Sequence, residues 1–434
     1  MSEMHFQFHP VGQGLFYSGQ VGEFDFVYDC GTASGISHVK SAVEAYDRFR
    51  RRKTSKGKLG LLILSHFHED HINGVGELLA KTGGVSEVVL PYLYPAERLM
   101  VAAEFAVANQ IEDLGDEHIE FLADPAKFLR DRGADRVTFI PPGGPVAEWP
   151  AFDPEIGEGE GRWVPNNKKL EPKDRGDDPA LGGDGGSLRS HESVYLSPQV
   201  AGNFRPQPKS SWQFKFYCRE HSRVSCKDIE TALANRGLPT EPGKIAATIR
   251  DNLETLKEIY YELFGGPGGQ NFTSLVCCHG PVEVPAQAAS WGNPFPSPPP
   301  QQLLLGDAEI EVKVFETHYE QELPRVGLTL LPHHGSSRSW RHGFLKAMPY
   351  CRYWVASSGR RNRYRHPSEK VVRAVQQGGR QFVLCHEHSE VAVQVCQGRH
   401  LIMDIPQAGS FCISDRAVLL AFRYPHPTRV FLHL

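Results

Sequence analysis

Three histidines and an aspartate within six residues carry the strongest chemical signal in this sequence. They form the run His66-x-His68-x-Asp70-His71. Two imidazoles at alternate positions can share one divalent metal, while the carboxylate and the last imidazole face a second metal nearby. A lone buried histidine is more often a core residue, but four ligands in this spacing favour a metal centre. The run therefore predicts a site with two metals.

The elements around this run predict where it lies. Residues 59–64 (LGLLIL) have the length and apolarity of a strand that is buried on both faces, and the histidines follow its carboxyl end. Open α/β sheets place their sites at that end of the strands. Helical spacing over residues 37–52, a helix start at 74–80 and a strand at 85–90 complete βαβ units. The sequence thus favours an α/β fold.

Composition excludes some classes of protein. The 434 residues are 40% hydrophobic and 23% charged, with a formal net charge of −4. This is ordinary globular composition, and it gives no overall attraction to nucleic acid or membranes. The start of the sequence lacks the pattern of a signal peptide, and no apolar run reaches a membrane-spanning length. Nine cysteines, an odd number without a CxxC pair, do not indicate a disulfide framework. We expect a cytoplasmic protein with no membrane contact.

Changes in pattern along the chain predict its organisation. Residues 5–8 and 24–28 alternate and should form two antiparallel strands around a turn at 12–14. Residues 95–132 resemble helices, whereas 141–208 are rich in Gly, Pro and Asp and predict loop or disorder. Later strands are expected at 273–284, 302–305, 327–331, 353–356 and 381–385.

These patterns predict a single domain spanning 1–434. Its core occupies about 5–95 and 210–395, residues 95–210 form a helical and partly disordered insertion, and 396–434 form a C-terminal β extension. The insertion and the C-terminal strands are candidate surfaces for a protein partner.

The histidine run resembles the HxHxDH signature of the metallo-β-lactamase superfamily. That resemblance implies an α/β fold in the form of an αβ/βα four-layer sandwich, with a dinuclear site at one edge. It implies that His66, His68, Asp70 and His71 bind metal. Asp29 resembles the early aspartate that orients the histidine loop, a role outside the ligand set. Asp307, after Gly306, resembles the carboxylate that bridges both metals.

Further motifs resemble the ComEC-like branch of that superfamily. Residues 332–336 (PHHGS) resemble its HHGS motif, so either His333 or His334, with a slight preference for His334, should be the last ligand of the second metal. Residues 357–367 (SSGRRNRYRHP) resemble its Ser-x-Gly-x-x-Asn-x-Tyr-x-His-Pro signature. That resemblance implies that Asn362 and His366 hold a phosphate or donate a proton near the leaving oxygen. Together with Asp70, they are the candidate catalytic residues. The Gly-Gln-Gly turn at 12–14 is similar to one near that branch's site.

One departure concerns the first metal. Ordinary metallo-β-lactamases carry a third histidine where this chain has 271–276 (NFTSLV), which resembles the Asn-x-x-Ser-Leu-Val strand of the ComEC-like branch. If Asn271 or Ser274 stands at that place, in or beside the ligand set, the first metal is held more weakly or through water. His279 is an alternative ligand, although it lies further along the strand.

Arginines near the later motifs indicate the substrate. Arg338 follows the HHGS motif, and Arg360, Arg361 and Arg363 surround Asn362. A guanidinium group binds two phosphate oxygens at once, although a solvated loop would also explain these residues. The leading hypothesis is a phosphodiesterase or nuclease that uses a metal-activated hydroxide on DNA or RNA. Hydrolysis of a small ester, thioester or lactam, and a non-catalytic scaffold in a larger complex, are the alternatives.

The expected cofactors are two divalent metal ions. Three or more imidazoles suit zinc, whereas a first site richer in oxygen ligands would also accept manganese.

Overall fold

Two β-sheets face each other across a shared core, and helices cover their outer faces. The computed structural model describes residues 4–21, 24–53, 57–140, 186–187, 193–196, 212–218, 224–265, 274–281, 300–309, 311–396 and 400–404. Within these residues the order of layers is helix, sheet, sheet, helix. This confirms the predicted four-layer α/β sandwich.

The first sheet has nine strands in the order β16-β15-β1-β2-β3-β4-β5-β6-β7. The neighbours from β16 to β3 are antiparallel, and those from β3 to β7 are parallel. The strands are β1 (Met4–Phe8), β2 (Phe16–Val21), β3 (Phe24–Cys30), β4 (Leu59–Ile63), β5 (Val85–Pro91), β6 (Ala134–Ile140), β7 (Gly186–Ser187), β15 (Val391–Cys396) and β16 (His400–Asp404).

The second sheet has seven strands in the order β14-β13-β12-β11-β10-β9-β8. The strands from β14 to β11 are parallel, and those from β11 to β8 are antiparallel. They are β8 (Ser193–Leu196), β9 (Trp212–Cys218), β10 (Leu275–Pro281), β11 (Gln301–Leu304), β12 (Val326–Leu330), β13 (Tyr353–Ser357) and β14 (Gln381–Cys385).

The α-helices lie outside the two sheets. They are α1 (Ile36–Lys53), α2 (Glu69–Ile72), α3 (Val75–Thr82), α4 (Pro95–Asn109), α5 (Asp116–Ala123), α6 (Pro125–Asp131), α7 (Cys226–Asn235), α8 (Ile245–Phe264), α9 (Val312–Tyr319), α10 (Gly343–Ala347) and α11 (Glu369–Gln377). Short 3₁₀ turns occupy Pro242–Lys244, Leu323–Arg325 and Pro332–Gly335. Among the described helices, none combines the length and the apolarity that crossing a bilayer requires.

The core between the sheets is built from alternating residues of both. Phe26 and Tyr28 of the first sheet pack in one cluster with Phe214, Cys277 and Leu304 of the second. The opposite faces of the same strands, such as Val27 and Leu62, pack against the outer helices. Strands with two buried faces read as continuous apolar runs, which is why 59–64 was recognisable in the sequence.

The predicted N-terminal hairpin is wrong in its pairing. A strand that the sequence did not indicate, β2, lies between β1 and β3 and pairs antiparallel with both. All six residues of β2 are buried, which removes the polar alternation expected of a strand with one exposed face. Gly19 lies against Phe26, where a Cβ atom would come within 2.3 Å of the ring, so the close approach needs glycine.

The first part of the predicted insertion is built into the fold. Helices over 95–131 are present as expected, and β6 pairs parallel with β5, which extends the first sheet. Helix α4 packs extensively against α8 from the second half of the chain. The predicted loop at 141–208 and most of the C-terminal extension, residues 405–434, lie outside the described residues; within that extension, β16 pairs with β15.

Candidate metal centre

Loops at the carboxyl ends of strands from both sheets bring the predicted ligands together. His66 and His68 follow β4, Asp29 lies near the end of β3, Asp307 follows β11, and the Pro332–Gly335 turn follows β12. Parallel strands end at the same edge of a sheet, so ligands far apart in sequence meet there. This is the position that the sequence predicted for the site.

The Asp307 carboxylate lies at the centre of the cluster, and its two oxygens face different pairs of imidazoles. Oδ1 lies 3.5 Å from Nε2 of His71 and 3.7 Å from Nε2 of His334. Oδ2 lies 3.7 Å from Nε2 of His66 and 3.9 Å from Nε2 of His333. A carboxylate in this setting is placed to bridge two cations.

Asp70 joins one of these pairs. Its Oδ2 lies 3.4 Å from Nε2 of His334 and 3.8 Å from Nε2 of His71. Ligand atoms of Asp70, His71 and His334 all lie within 4.8 Å of one another, and so do those of His66, His68 and Asp70. Two overlapping ligand groups are therefore present, and Asp70 and Asp307 contact both.

Asp29 and Ser65 hold two of the imidazoles. Nδ1 of His71 donates to Oδ2 of Asp29 at 2.8 Å, and Nδ1 of His66 lies 2.9 Å from the Ser65 hydroxyl, which itself donates to Asp29. The Ser65 N–H donates to the other Asp29 oxygen. These bonds place the proton of each ring on Nδ1 and leave Nε2 able to bind a metal.

His334 is fixed in the same way by β13. Its Nδ1 donates to the carbonyl of Ser357 at 2.7 Å. The Ser357 hydroxyl donates to the carbonyl of Gly14, in the Gly-Gln-Gly turn. Gly14 has φ +133°, and a Cβ atom there would lie 2.5 Å from the Asp70 carbonyl. The turn at 12–14 thus lies beside the centre, and its backbone requires glycine.

The ring atoms that face the carboxylates fit a metal. Nε2 of His66, His71 and His334 is buried in each case and has no hydrogen-bond partner. A buried polar atom without a partner is costly, and three that converge on carboxylate oxygens are explained by divalent cations between them. The residues present therefore fit the binding of divalent metal.

The ionisation of these groups follows from their mutual contacts. Burial lowers the pKa of His66 well below its usual range, whereas the carboxylates of Asp70, Asp29 and Asp307 overcome burial at His71 and raise its pKa to about 9. The surrounding imidazoles overcome the effect of burial on Asp307 and hold its pKa well below the usual range. A carboxylate that remains charged in a buried site is suited to bind cations.

Glu104 of α4 is a site residue that sequence reasoning missed. The side chain is buried, and its Oε2 lies 3.6 Å from Nε2 of His68. Burial alone lowers the pKa of His68, but the Glu104 carboxylate raises it above the usual range. The available signal was one acidic residue inside the apolar run 99–107 of α4, because a buried charge requires a partner. Nothing in the run names His68 as that partner.

The place of the expected third histidine is filled differently. Ser274 lies at the site, where its hydroxyl accepts a hydrogen bond from the Asp307 N–H at 3.0 Å. Asn271 lies outside the described residues. His279 bonds to the Tyr17 hydroxyl and lies among aromatic rings between the sheets, away from the ligands. The alternative in which His279 completes the first metal site is therefore wrong.

The loop that carries Asn362 and His366 lies at the rim of the centre. The His366 ring packs edge-on against His333, with ring centroids 5.5 Å apart and an interplanar angle of 71°, and it lines the cleft. Asn362 instead donates to the carbonyls of Gly359 and His366 and accepts from the His366 N–H. The Asn362 amide is thus bonded to backbone groups, and it positions His366. The prediction that Asn362 itself contacts substrate would require it to line the cleft, which it does not.

A cleft of about 980 Å³ opens over the ligands. Arg338 lines it, but the other three predicted substrate-binding arginines do not. Arg363 bonds to Asn109 and Tyr364, and the N–H of Arg360 donates to Glu387. Arg361 projects from the same exposed loop. None of these three side chains lines the cleft itself, although Arg363 bonds to Asn109 and Tyr364, which do.

The opposite wall of the cleft is acidic. Carboxylates from α2, α4, α5 and the β11 loop line it, namely Glu69, Glu104, Asp116, Glu117 and Glu309. Sequence reasoning did not predict these carboxylates at the site, because α5 belongs to the segment that was predicted to lie outside the core.

Residues 19–166 match the family model of the metallo-beta-lactamase superfamily. No curated protein sequence matches the chain significantly.

Three solved structures illustrate the similarity. The metallo-beta-lactamase fold protein YhfI from Bacillus subtilis is 10% identical, with a TM-score of 0.34 over 93% of this chain and 100% of that one. A long form RNase Z from yeast is 10% identical, with a TM-score of 0.28 over 76% of this chain and 32% of that one. MEM-A1, a subclass B3 metallo-beta-lactamase from a soil metagenome library, is 13% identical, with a TM-score of 0.18 over 59% and 89% of the two chains. The similarity to the metallo-beta-lactamase superfamily thus covers residues 19–166, about a third of the chain.

Proposed function

We propose that this protein is a metal-dependent hydrolase of phosphodiesters, with DNA or RNA as its candidate substrates. The observation that carries the proposal is the arrangement of imidazole Nε2 atoms in two pairs around the two oxygens of Asp307. The expected cofactors are two divalent cations, zinc or manganese. Such cations supply Lewis-acid chemistry, because they activate water and neutralise negative charge on the attacked group.

The chain's own residues hold and orient the reacting groups. His66, His68 and Asp307 would hold one cation, and Asp70, His71 and His334 would hold the other together with Asp307. Asp29 fixes His71 directly and His66 through Ser65, so these two imidazoles keep one orientation. A ligand set fixed in advance spends little free energy on reorganisation when substrate binds.

One wall of the cleft supports a phosphodiester substrate. Arg338, Ser336, Ser337, Tyr364 and His366 line the cleft next to the ligands. Guanidinium and hydroxyl groups donate hydrogen bonds to phosphoryl oxygens, and His366 stands where it can bond to the leaving oxygen. Only one arginine reaches this wall, so the electrostatic attraction is local.

The acidic wall supports a second candidate. Asp116 is paired with Arg250 and Glu117 with Arg132, whereas Glu69 and Glu309 add negative charge to the lining. This lining disfavours a continuous polyanion and favours substrates that present one anionic group, such as a strand end or a small phosphodiester. A small ester, thioester or lactam also satisfies this constraint. A non-catalytic scaffold is disfavoured, because a decayed site need not keep the converging ligand atoms.

The test is a substrate panel with the metal-loaded chain. Protein loaded with zinc or manganese is assayed on plasmid, single-stranded DNA, RNA, a chromogenic phosphodiester, an ester, a thioester and a lactam, beside an Asp307→Asn control. We expect phosphodiester hydrolysis that the control lacks. Hydrolysis of only the ester, thioester or lactam would favour the second candidate, and no metal-dependent turnover of any substrate would favour the scaffold.

A further inference from the structure

We infer that His333 and His334 bind different metals. His333 supplies the first metal with its third imidazole, in place of the histidine that is absent from residues 271–276. The first metal is then held by His66, His68, His333 and one oxygen of Asp307. The inference rests on the proposed dinuclear centre and specifies how its first half is completed. Sequence patterns left open which of the two adjacent histidines is a ligand.

The distances divide the two histidines between the two oxygens of Asp307. Nε2 of His333 lies 3.9 Å from Oδ2, the oxygen that also faces His66 at 3.7 Å. Nε2 of His334 lies 3.7 Å from Oδ1, the oxygen that faces His71 at 3.5 Å. Two ligands of one tetrahedral zinc ion lie roughly 3.4 Å apart. Each histidine therefore pairs with the imidazole and the carboxylate oxygen of a different metal.

The backbone explains how neighbouring residues reach different sites. His333 has φ 47° and His334 has φ 55°, so both are left-handed, a conformation that side chains with a Cβ atom rarely adopt. The two rings lie at 87° to each other, with centroids 6.0 Å apart. Strained turns of this kind persist where the surroundings over-determine them, and they cluster at functional sites.

The same turn is tied to the loop that carries Asp307. The His333 N–H donates to the carbonyl of Gly306 at 2.9 Å, and the Ser336 N–H donates back to the carbonyl of His333 at 2.8 Å. The positions of His333 and the bridging carboxylate are thus coupled through one backbone hydrogen bond. This geometry places the His333 imidazole beside Oδ2 without any rearrangement of the loop.

Other candidates for the missing ligand are occupied elsewhere. The Ser274 hydroxyl accepts the Asp307 N–H, and His279 is bonded to Tyr17 between the sheets. Asn271 lies outside the described residues and is addressed by the experiment. The His333 side chain is 33% exposed, whereas those of His66, His71 and His334 are 1–4% exposed. The first metal therefore faces the cleft and is expected to exchange more readily.

The experiment counts metal ions and measures their affinity, independently of turnover. Wild type, His333→Asn, His334→Asn and Asn271→Ala are compared by elemental analysis after gel filtration and by titration of the metal-free chains with Co²⁺. Asparagine tolerates left-handed backbone, so the turn is kept, and His333→Gly serves as a second variant. The control is His5→Ala. His5 lies on β1, packs against Phe49 of α1 and is not a ligand of the metal centre.

We expect wild type, His5→Ala and Asn271→Ala to bind two ions, and each histidine variant of the turn to keep one tight ion. Loss of a partner that only orients a ligand weakens metal binding by roughly 10–100-fold, so loss of a ligand should weaken one site by at least about 100-fold. Double variants assign the site. His333→Asn with His66→Ala should still bind one ion, whereas His333→Asn with Asp70→Ala should lose both.

Three results would overturn this inference and leave the proposed function intact. These are two ions bound with unchanged affinity in both His333 variants, loss of the first ion in Asn271→Ala instead, or loss of both ions when His333→Asn is combined with His66→Ala. Failure of the wild-type chain to bind metal would be a different result, because it would overturn the proposed function as well. Thermal unfolding of each variant in chelator separates loss of a ligand from loss of the fold.

Discussion

Two groups of buried histidines in this protein differ in what their ring nitrogens face. In the metal centre, Nδ1 of His66, His71 and His334 is held by an oxygen of the protein, and Nε2 points at carboxylates. The core group packs against aromatic rings and bonds to an uncharged oxygen; its members are His9, His118 and His279. Burial lowers the pKa of His9 and His279 to about 3 and that of His118 to about 4.

The comparison shows that burial alone does not make a histidine a ligand. Both groups are nearly inaccessible to solvent, and both contain ring atoms without a hydrogen-bond partner. The difference is convergence on charge, since Asp307 and Asp70 face only the first group. Four predictions test this difference.

The largest effect is expected from Asp307→Asn. The amide keeps the shape of the side chain but removes the charge on which the imidazoles converge, so both metal sites should fail. We expect loss of metal and a fall in kcat/KM of roughly 10³-fold or more, since metal ions contribute several kcal/mol to such reactions. Metal analysis and turnover of the substrate found in the panel measure this effect. Glu311→Gln, at an exposed carboxylate just downstream, is the control, and two tightly bound ions in Asp307→Asn would refute the bridging role.

Asp29→Asn tests the residue that orients the imidazoles. Asparagine accepts the left-handed backbone at this position, φ 56°, but cannot accept all the hydrogen bonds from Ser65 and His71. Metal affinity should fall roughly 10–100-fold, as is typical for such partners. The matched control is Asp25→Asn, at a residue on the same strand as Asp29. This change breaks the buried ion pair between Asp25 and Arg50, so it should lower the free energy of unfolding while metal affinity stays unchanged. Equal metal affinities in both variants would count against the orienting role.

His279→Phe tests the core group through pH. The pKa of His279 is about 3 in the folded chain and near 6.5 when unfolded, so the unfolded state gains the proton first as pH falls. The stability that this residue contributes is complete above pH 6.5, and it is lost by roughly 1.4 kcal/mol per pH unit between 6.5 and about 3. The phenylalanine variant should lose this part of the pH dependence.

Denaturant unfolding in chelator, from pH 7 to pH 4, measures the effect. His118→Phe is a second test. The pKa of His118 is about 4 in the folded chain, so its contribution to the free energy of unfolding should change only between pH 6.5 and about 4. Identical pH dependence in the wild type and both variants would show that these histidines are not held neutral by the core.

The smallest effect is expected at the cleft arginine. Arg338→Gln should raise KM for a phosphodiester about 3-fold, because an exposed charge contributes on the order of 0.2–1 kcal/mol. Arg361→Gln, which alters a predicted substrate-binding arginine outside the cleft, should change KM less than 2-fold on the same argument. Steady-state kinetics at two ionic strengths measures both. A larger effect at Arg361 would mean that the substrate follows the outer loop.

Part of the fold and of the metal centre could be predicted from the sequence. His66, His68, Asp70 and His71 were recognisable because they are contiguous, and the strand before them is apolar throughout. Asp307 and the two histidines of the turn were recognisable through their resemblance to the superfamily motifs, in the same order along the chain. The strand pattern predicted an α/β fold, and the four-layer sandwich was implied by that resemblance.

The remaining features depend on contacts that the sequence does not encode locally. Glu104 reaches His68 only because α4 packs over the β4 loop. Arg363 bonds to Asn109, which lies 254 positions away in the sequence, and strand β2 has no polar alternation to reveal it. In each case the deciding neighbour is distant in sequence, or the pattern is hidden by complete burial.

The number of metal ions bound to the purified wild-type chain decides whether the histidine and aspartate cluster is a metal centre. Native mass spectrometry before and after chelation, on wild type and on His279→Phe, makes this count. We predict two divalent ions per chain in both proteins, which are removed by chelator and restored by zinc or manganese. A folded wild-type chain that binds no ion under these conditions would contradict the assignment of the histidine and aspartate cluster as a metal centre.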